Sequence, residues 1–333
     1  MEKIVKAEKN KTKKIKKQNK HNALFFAYCS LFFVLCSCQT MSNFHDPFSD
    51  DLNFFPLDTG ASVYFFANVQ EARSILELLP IKELNNNQAK QMLDRTGFAA
   101  GAFFPKDNDR QFQIAAWGKY PGNADIVFSV NKNWEKMRSF TGRNYWHSAS
   151  DRLSIAINSR QAFIAQSKIN GALGDIPTDP FAITPGIEIP EGFNDFRSDK
   201  NTQNNTIVKA PLSLWIENPS FMIRQTTFGQ MLSGLARFPI QQIFINIFST
   251  NENQYETVIR LQLENASQAR GMAAVLNIAG GFAQTGFAQT GFVDTKIASL
   301  FLANSPVQRE KNLDIRSAAL SKGDIANILS LFF

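Results

Sequence analysis

Ile243-Phe244-Ile245-Asn246-Ile247-Phe248, joined across Asn251 to Gln254 to Thr257-Val258-Ile259-Arg260-Leu261-Gln262-Leu263, is the stretch on which the fold turns. Its β-branched and aromatic residues fit a pleated surface and resist a helix, so the two runs read as the arms of a β-hairpin, 240–248 and 257–263. Upstream, Leu212 to Ile216 is a further strand, Asn218 an N-cap, and Pro219 the first helical position that proline favours. The apolar residues Phe221, Met222, Phe228, Met231, Leu232 and Leu235 then recur at helical spacing.

Some 150 residues earlier the same order of elements occurs. Ala61 to Phe66 is β-rich, and Asn68 with Glu71 three residues on forms a capping pair. Val69, Ala72, Ile75, Leu76 and Leu79 have helical spacing, and the runs 98–104 and 112–117 flank the turn Asp107-Asn108-Asp109. A second helix is expected near 124–134 in this half and near 266–279 in the other. Each unit is β-α-β-β-α, extended in the first half by a hairpin over 151–158 and 161–166, and in the second by 312–320 and a helix from Lys322. The expected fold class is α+β: two tandem βαββα-type repeats, 60–169 and 210–333, whose largely antiparallel sheets are covered by amphipathic helices. Residues 170–209, rich in Gly, Pro, Asp and Asn, read as a connector, with its least ordered part at 198–206.

The N-terminus has another logic. Residues 1–20 hold nine lysines against Glu2 and Glu8, and an apolar run of about 14 residues follows from Ala23 to Cys36. That order is the n-region and h-region of a secretory signal, and the run falls short of the roughly 20 residues a bilayer-spanning helix needs. It ends in Leu35-Cys36-Ser37-Cys38. This resembles the lipobox of bacterial lipoproteins, with Cys36 where the family usually has a small uncharged residue. The resemblance implies cleavage after residue 37 and lipidation of Cys38, whose thiol would carry diacylglycerol and whose fatty acyl chains, palmitate among them, would anchor residues 38–59 as a tether. With 1–37 removed, 26 basic residues face 27 acidic ones, so the basic pI of the precursor belongs to the leader. A nucleic-acid partner is not expected.

Chemistry is sparse. Cys29, Cys36 and Cys38 are the only cysteines, so a mature chain would keep one, which excludes a disulfide framework or cysteine metal site. Outside the leader the histidines are His45, in the tether, and His147, beside Trp146. Neither stands in a recognisable nucleophile-base pattern. Asp107 and Asp109 suit a hairpin turn better than a calcium loop, which needs more oxygen ligands. No enzyme, cofactor or metal is expected.

Two features suggest a membrane. Three tandem five-residue units from Gly281 to Thr295 place Phe282, Phe287 and Phe292 at regular intervals, as an apolar tip could. The last residues, with Ile325, Leu329, Phe332 and Phe333, make a strongly apolar helix that could lie in a bilayer interface. The lipobox, the α/β halves, the cysteine-free body and these helices together resemble treponemal (spirochaetal) outer-membrane-associated lipoproteins with amphipathic membrane-interacting helices. The resemblance implies a non-catalytic, lipid-anchored protein of the cell envelope, facing the periplasm from the outer membrane, which binds or perturbs lipid. A periplasmic or surface scaffold that binds a protein partner is the alternative.

Overall fold

The computed structural model describes residues 54–330 except 56, 79–86, 105–109, 140–141, 151, 168–186, 191, 202–205, 218, 220–238, 252, 285–300 and 302. Its strands are β1 (Phe54–Phe55), β2 (Val63–Asn68), β3 (Thr96–Phe103), β4 (Arg110–Gly118), β5 (Glu135–Arg138), β6 (Asn144–Ser148), β7 (Leu153–Ile157), β8 (Gln161–Ser167), β9 (Ile187–Glu188), β10 (Ser198–Asn201), β11 (Thr206–Lys209), β12 (Leu212–Ile216), β13 (Ile240–Asn251), β14 (Gln254–Leu263), β15 (Val307–Arg309), β16 (Asn312–Arg316) and β17 (Leu320–Ser321). Thirteen of them form one antiparallel sheet, in the order β15-β16-β14-β13-β12-β2-β3-β4-β8-β7-β6-β5, with β17 also on β14.

The expected α+β pair of helix-covered repeats is therefore corrected. The strands that open the two halves, β2 and β12, pair with each other, with Leu214 opposite Phe65 and Trp215 opposite Tyr64. An unpaired edge there would expose a row of backbone donors and acceptors; joining the halves removes both inner edges at once. Helix is also scarcer than expected. The segment read as a helix near 124–134 holds only Ile126–Ser129, and the chain then turns into β5. Ile126, Val127 and Val130 are β-branched and Asn131 and Asn133 favour turns, which gives a helix little to propagate on. The run from Val69 is helical only over Arg73–Leu76, whereas Asn87–Arg95, a polar segment with Ala89, Met92 and Leu93 at helical spacing, is a helix. The helix expected near 266–279 is present as Ala266–Gln284, rich in Ala, and runs for 19 residues, and Lys322–Ser330 closes the described chain.

The two faces of the sheet have different covers. On the first face, Ile243, Ile245, Ile247, Leu212 and Leu214 pack beneath Ala269, Met272 and Leu276 of the Ala266–Gln284 helix and Ile325 and Ile328 of the Lys322–Ser330 helix. The latter helix is well capped. Asp324 accepts from the backbone N–H and hydroxyl of Ser321, at 3.0 and 2.6 Å, and Ser321 Oγ accepts from Asp324 N–H.

The second face is covered by the stretch expected to be a connector. Phe193 and Phe196, on the short helix Phe193–Arg197, are buried against Phe66, Trp215 and Phe244, with ring centroids 5.0 Å apart for Phe66–Phe193 and 5.4 Å for Phe193–Phe244. Asn246 on β13 fixes this cover: its Nδ2 donates to the Phe196 carbonyl at 2.6 Å while its Oδ1 accepts from Ser213 Oγ at 2.7 Å. Arg260 lies 4.7 Å over the Phe196 ring and makes a two-pronged ion pair with Asp314. Part of the region expected to be least ordered pairs as β10 with β11.

Candidate membrane-binding face

Strand register sets one lateral row of side chains across the first face. In the second half it runs Ile315, Ile259, Ile245, Leu214. It continues into the first half through Phe65, Gly101, Ile114, Ile164 and Ile155, and ends at Trp146 and Lys136 on the edge strands. From Ile315 to Ile155 the row is aliphatic or aromatic apart from Gly101, yet its burial changes in its middle. Ile315 and Ile259 are 7% exposed and Ile245 and Leu214 are 1% exposed. Phe65, Ile114, Ile164 and Ile155 are only partly buried, and the three isoleucines join none of the packed clusters.

Two details shape this strip. Phe65 folds over Gly101, and a Cβ at Gly101 would run into its ring. From there Phe103 lies 5.7 Å from Phe65 and Phe112 lies 6.4 Å from Phe103, an aromatic ladder beside the isoleucines. On the other side, a row of small residues, Ala99, Ala116 and Ala162, lets Met92 of the Asn87–Arg95 helix and Tyr120 come close. Tyr120 bonds Thr96 Oγ1 at 3.0 Å, and burial pushes its phenol up to about 12. That helix covers the alanine row and stops short of the isoleucine row.

The site residues expected from sequence fall in three groups. Leu35, Cys36, Ser37, Cys38, Phe287, Phe292, Phe332 and Phe333 lie outside the described residues, as do His45 and the turn 107–109. Phe282 and Leu329 lie in the last turns of their helices. Ile325 is fully buried in the core, so any membrane contact by it requires its helix to leave the sheet. The isoleucine row itself is not visible as a site in sequence, because strands β4, β7 and β8 alternate like any half-buried strand; only the register brings the residues into one line.

His147 is on β6, 5% exposed, with Nδ1 3.0 Å from Ser154 Oγ on the neighbouring strand. The two best-formed depressions among the described residues lie elsewhere. One, of about 370 Å³, is lined by Glu256, Val307, Arg309, Asp314 and Arg316 at the sheet edge; the other, of about 600 Å³, by Glu217, three glutamines and Lys311. Neither surrounds His147. Among the described residues no group of three His, Cys, Asp or Glu side chains stands as a metal site would need, and no helix is long and apolar enough to cross a membrane.

The outer membrane-associated lipoprotein TP0453 family model matches residues 50–282, more than half of the chain. The chain belongs to that family. Membership makes it an outer membrane-associated lipoprotein of the cell envelope. Solved structures agree on the fold: crystal form I of TP0453 superimposes with a TM-score of 0.54 at 17% identity, covering 85% of this chain and 98% of that one. Crystal form III gives 0.50 at 19% identity, with 83% and 97% covered. No curated protein matches the sequence. The family match ends within the Ala266–Gln284 helix, so β15, β16, β17 and the Lys322–Ser330 helix lie beyond it.

Proposed function

We propose that this lipoprotein binds membrane lipid on the partly bare strip of its sheet, without catalysis, while acyl chains on Cys38 hold it at the membrane. One observation carries the reading: along a single apolar row, Ile114, Ile164 and Ile155 are left partly exposed between the packed core at Leu214 and the buried Trp146 at the far end. Completing the burial of one such residue is worth on the order of 1 kcal/mol, so the strip offers several kcal/mol to an acyl chain or a bilayer interior. The Ala266–Gln284 helix supports the same reading. Its inner side buries Ala269 and Met272, and its outer side leaves Val275 44% and Ile278 61% exposed, so it is apolar on both sides. A helix of that kind is at home in a membrane interface. In sequence, Phe282 near its end is followed at regular intervals by Phe287 and Phe292, and Leu329, Phe332 and Phe333 make the C-terminal residues apolar.

Two acyl chains already suffice for stable anchoring, so the strip serves recognition or remodelling of lipid and need not supply attachment. The test is vesicle flotation of residues 39–333, which lack both leader and anchor, beside an Ile155→Ser, Ile164→Ser variant and a Leu329→Ser, Phe332→Ser, Phe333→Ser variant of the same length. The strip variant should lose flotation at unchanged circular dichroism. Flotation kept by it and lost by the C-terminal variant would move the contact to the terminal helix, and equal flotation of all three would sink both.

A further inference from the structure

We infer that the outer edge of the bare strip holds the headgroup of an anionic phospholipid, with Lys136 and Arg138 as its cationic contacts. The inference rests on the lipid reading and names the lipid class. Strand β5 is the edge of the sheet, and its alternation places Lys136 and Arg138 on the first face while Glu135 and Met137 point to the other. The strand's one carboxylate is thus turned away from its two cations. Both cations are exposed, and neither has a carboxylate partner among the described residues. Lys136 Nζ stands 5.9 Å from the centre of the Trp146 ring, and Arg138 Nε donates to the Gly142 carbonyl at 3.3 Å. The opposite end of the sheet differs: there Arg260 and Arg316 are matched to Asp314 and Glu256.

The surroundings have the composition of a membrane interface, with rings at the level of the headgroups, cations beside them and aliphatics exposed. The short Ile126–Ser129 helix packs Phe128 4.7 Å from Trp134 and 6.2 Å from Trp146, and leaves Ile126 43% and Val130 72% exposed. Lys132 adds a third exposed cation, against Asp125 and Glu135 nearby in sequence. From Trp146 to Phe65 the row crosses five strand-to-strand steps, about 24 Å at about 4.8 Å each. One leaflet of hydrocarbon is about 15 Å deep, half of a core of about 30 Å, so a chain whose headgroup sits at Lys136 has room to lie along the isoleucines.

The experiment uses vesicles carrying either phosphatidylglycerol or phosphatidylcholine with a photoactivatable group on the acyl chain, and maps the label on the full chain by peptide mass spectrometry. Mapping separates the strip from the basic leader, which would itself collect on anionic vesicles. Label on residues 146–164 should favour phosphatidylglycerol. The Lys136→Gln, Arg138→Gln variant should weaken that preference about thirty-fold, from about 1 kcal/mol per basic residue at an anionic surface, and leave phosphatidylcholine unchanged. Equal labelling by both lipids, untouched by the substitutions, would overturn the headgroup inference and leave the lipid face standing. No label on 146–164 from either lipid would overturn both.

Discussion

Ile245 and Ile164 sit in the same lateral row of one sheet, each in the middle of its strand, and each is flanked by a β-branched or aromatic neighbour across the ladder. Ile245 is 1% exposed and joins a core of more than twenty side chains; Ile164 is partly exposed and joins none. The difference lies in what the chain lays over each. The second half folds Ala266–Gln284 and Lys322–Ser330 back across its strands, whereas among the described residues the first half has the short helices Arg73–Leu76, Asn87–Arg95 and Ile126–Ser129, and none of the packed clusters takes in Ile114, Ile155 or Ile164. A strand's own residues thus mark an apolar face, while the connections between strands decide whether that face becomes core or surface. A sheet that is apolar beyond its own cover is a surface for another apolar partner.

The sharpest way to break this comparison is to make the same substitution twice. Ile245→Ala should cost about 3 kcal/mol or more in urea unfolding, in the range of buried Ile→Ala changes, and Ile164→Ala about 1 kcal/mol or less. Equal costs would mean that both residues are core and that no bare strip exists.

The cover of the second face can be probed separately. Asn246→Ala leaves the Ser213 hydroxyl and the Phe196 carbonyl without their partner, and should cost about 1–3 kcal/mol. It should also raise hydrogen exchange in residues 193–197 before it affects β5 to β8. Exchange that rises evenly over the whole sheet would show that the connector is no separate layer.

A smaller effect separates the middle of the sheet from its first half by pH. Tyr64, under the stacked Trp215 ring at 4.8 Å, and Tyr120, under the Asn87–Arg95 helix, are both pushed up to about 12 by burial. Their folded values exceed the unfolded value near 10, so the stability they contribute is complete below pH 10 and is lost as pH rises from there through 12. In an absorbance titration Tyr64 and Tyr120 should resist ionisation until the chain unfolds, so at least two of the five tyrosines stay protonated past pH 10. Ionisation of all five near pH 10 in the folded chain would contradict the burial of both.

Much of this was legible in the sequence, and for identifiable reasons. The hairpins β3-β4, β7-β8 and β13-β14 announce themselves through alternation and a polar turn, and the final helix through its apolar residues from Ile325. Sequence periodicity carries no information on which strands pair at long range, so β2 beside β12 and the single sheet had to come from the structure. β5 and β6, Glu-Lys-Met-Arg and Asn-Tyr-Trp-His-Ser, are short and polar because one is an edge and needs charge to discourage further pairing. Phe193 and Phe196 were hidden among the prolines and glycines of 170–209, although their spacing of three in Phe-Asn-Asp-Phe-Arg is that of one helix face. The membrane-facing expectation rested on the chain's apolar helices; the isoleucine row is a second candidate, visible once the register is known.

The most direct measurement is paramagnetic broadening of isoleucine methyl resonances in the lipid-bound protein, with spin labels placed on the vesicle acyl chains. The account predicts that Ile114, Ile155 and Ile164 broaden while Ile245, Ile259 and Ile315, in the same row, stay sharp. Sharp signals from all six would contradict it, and so would equal broadening along the whole row.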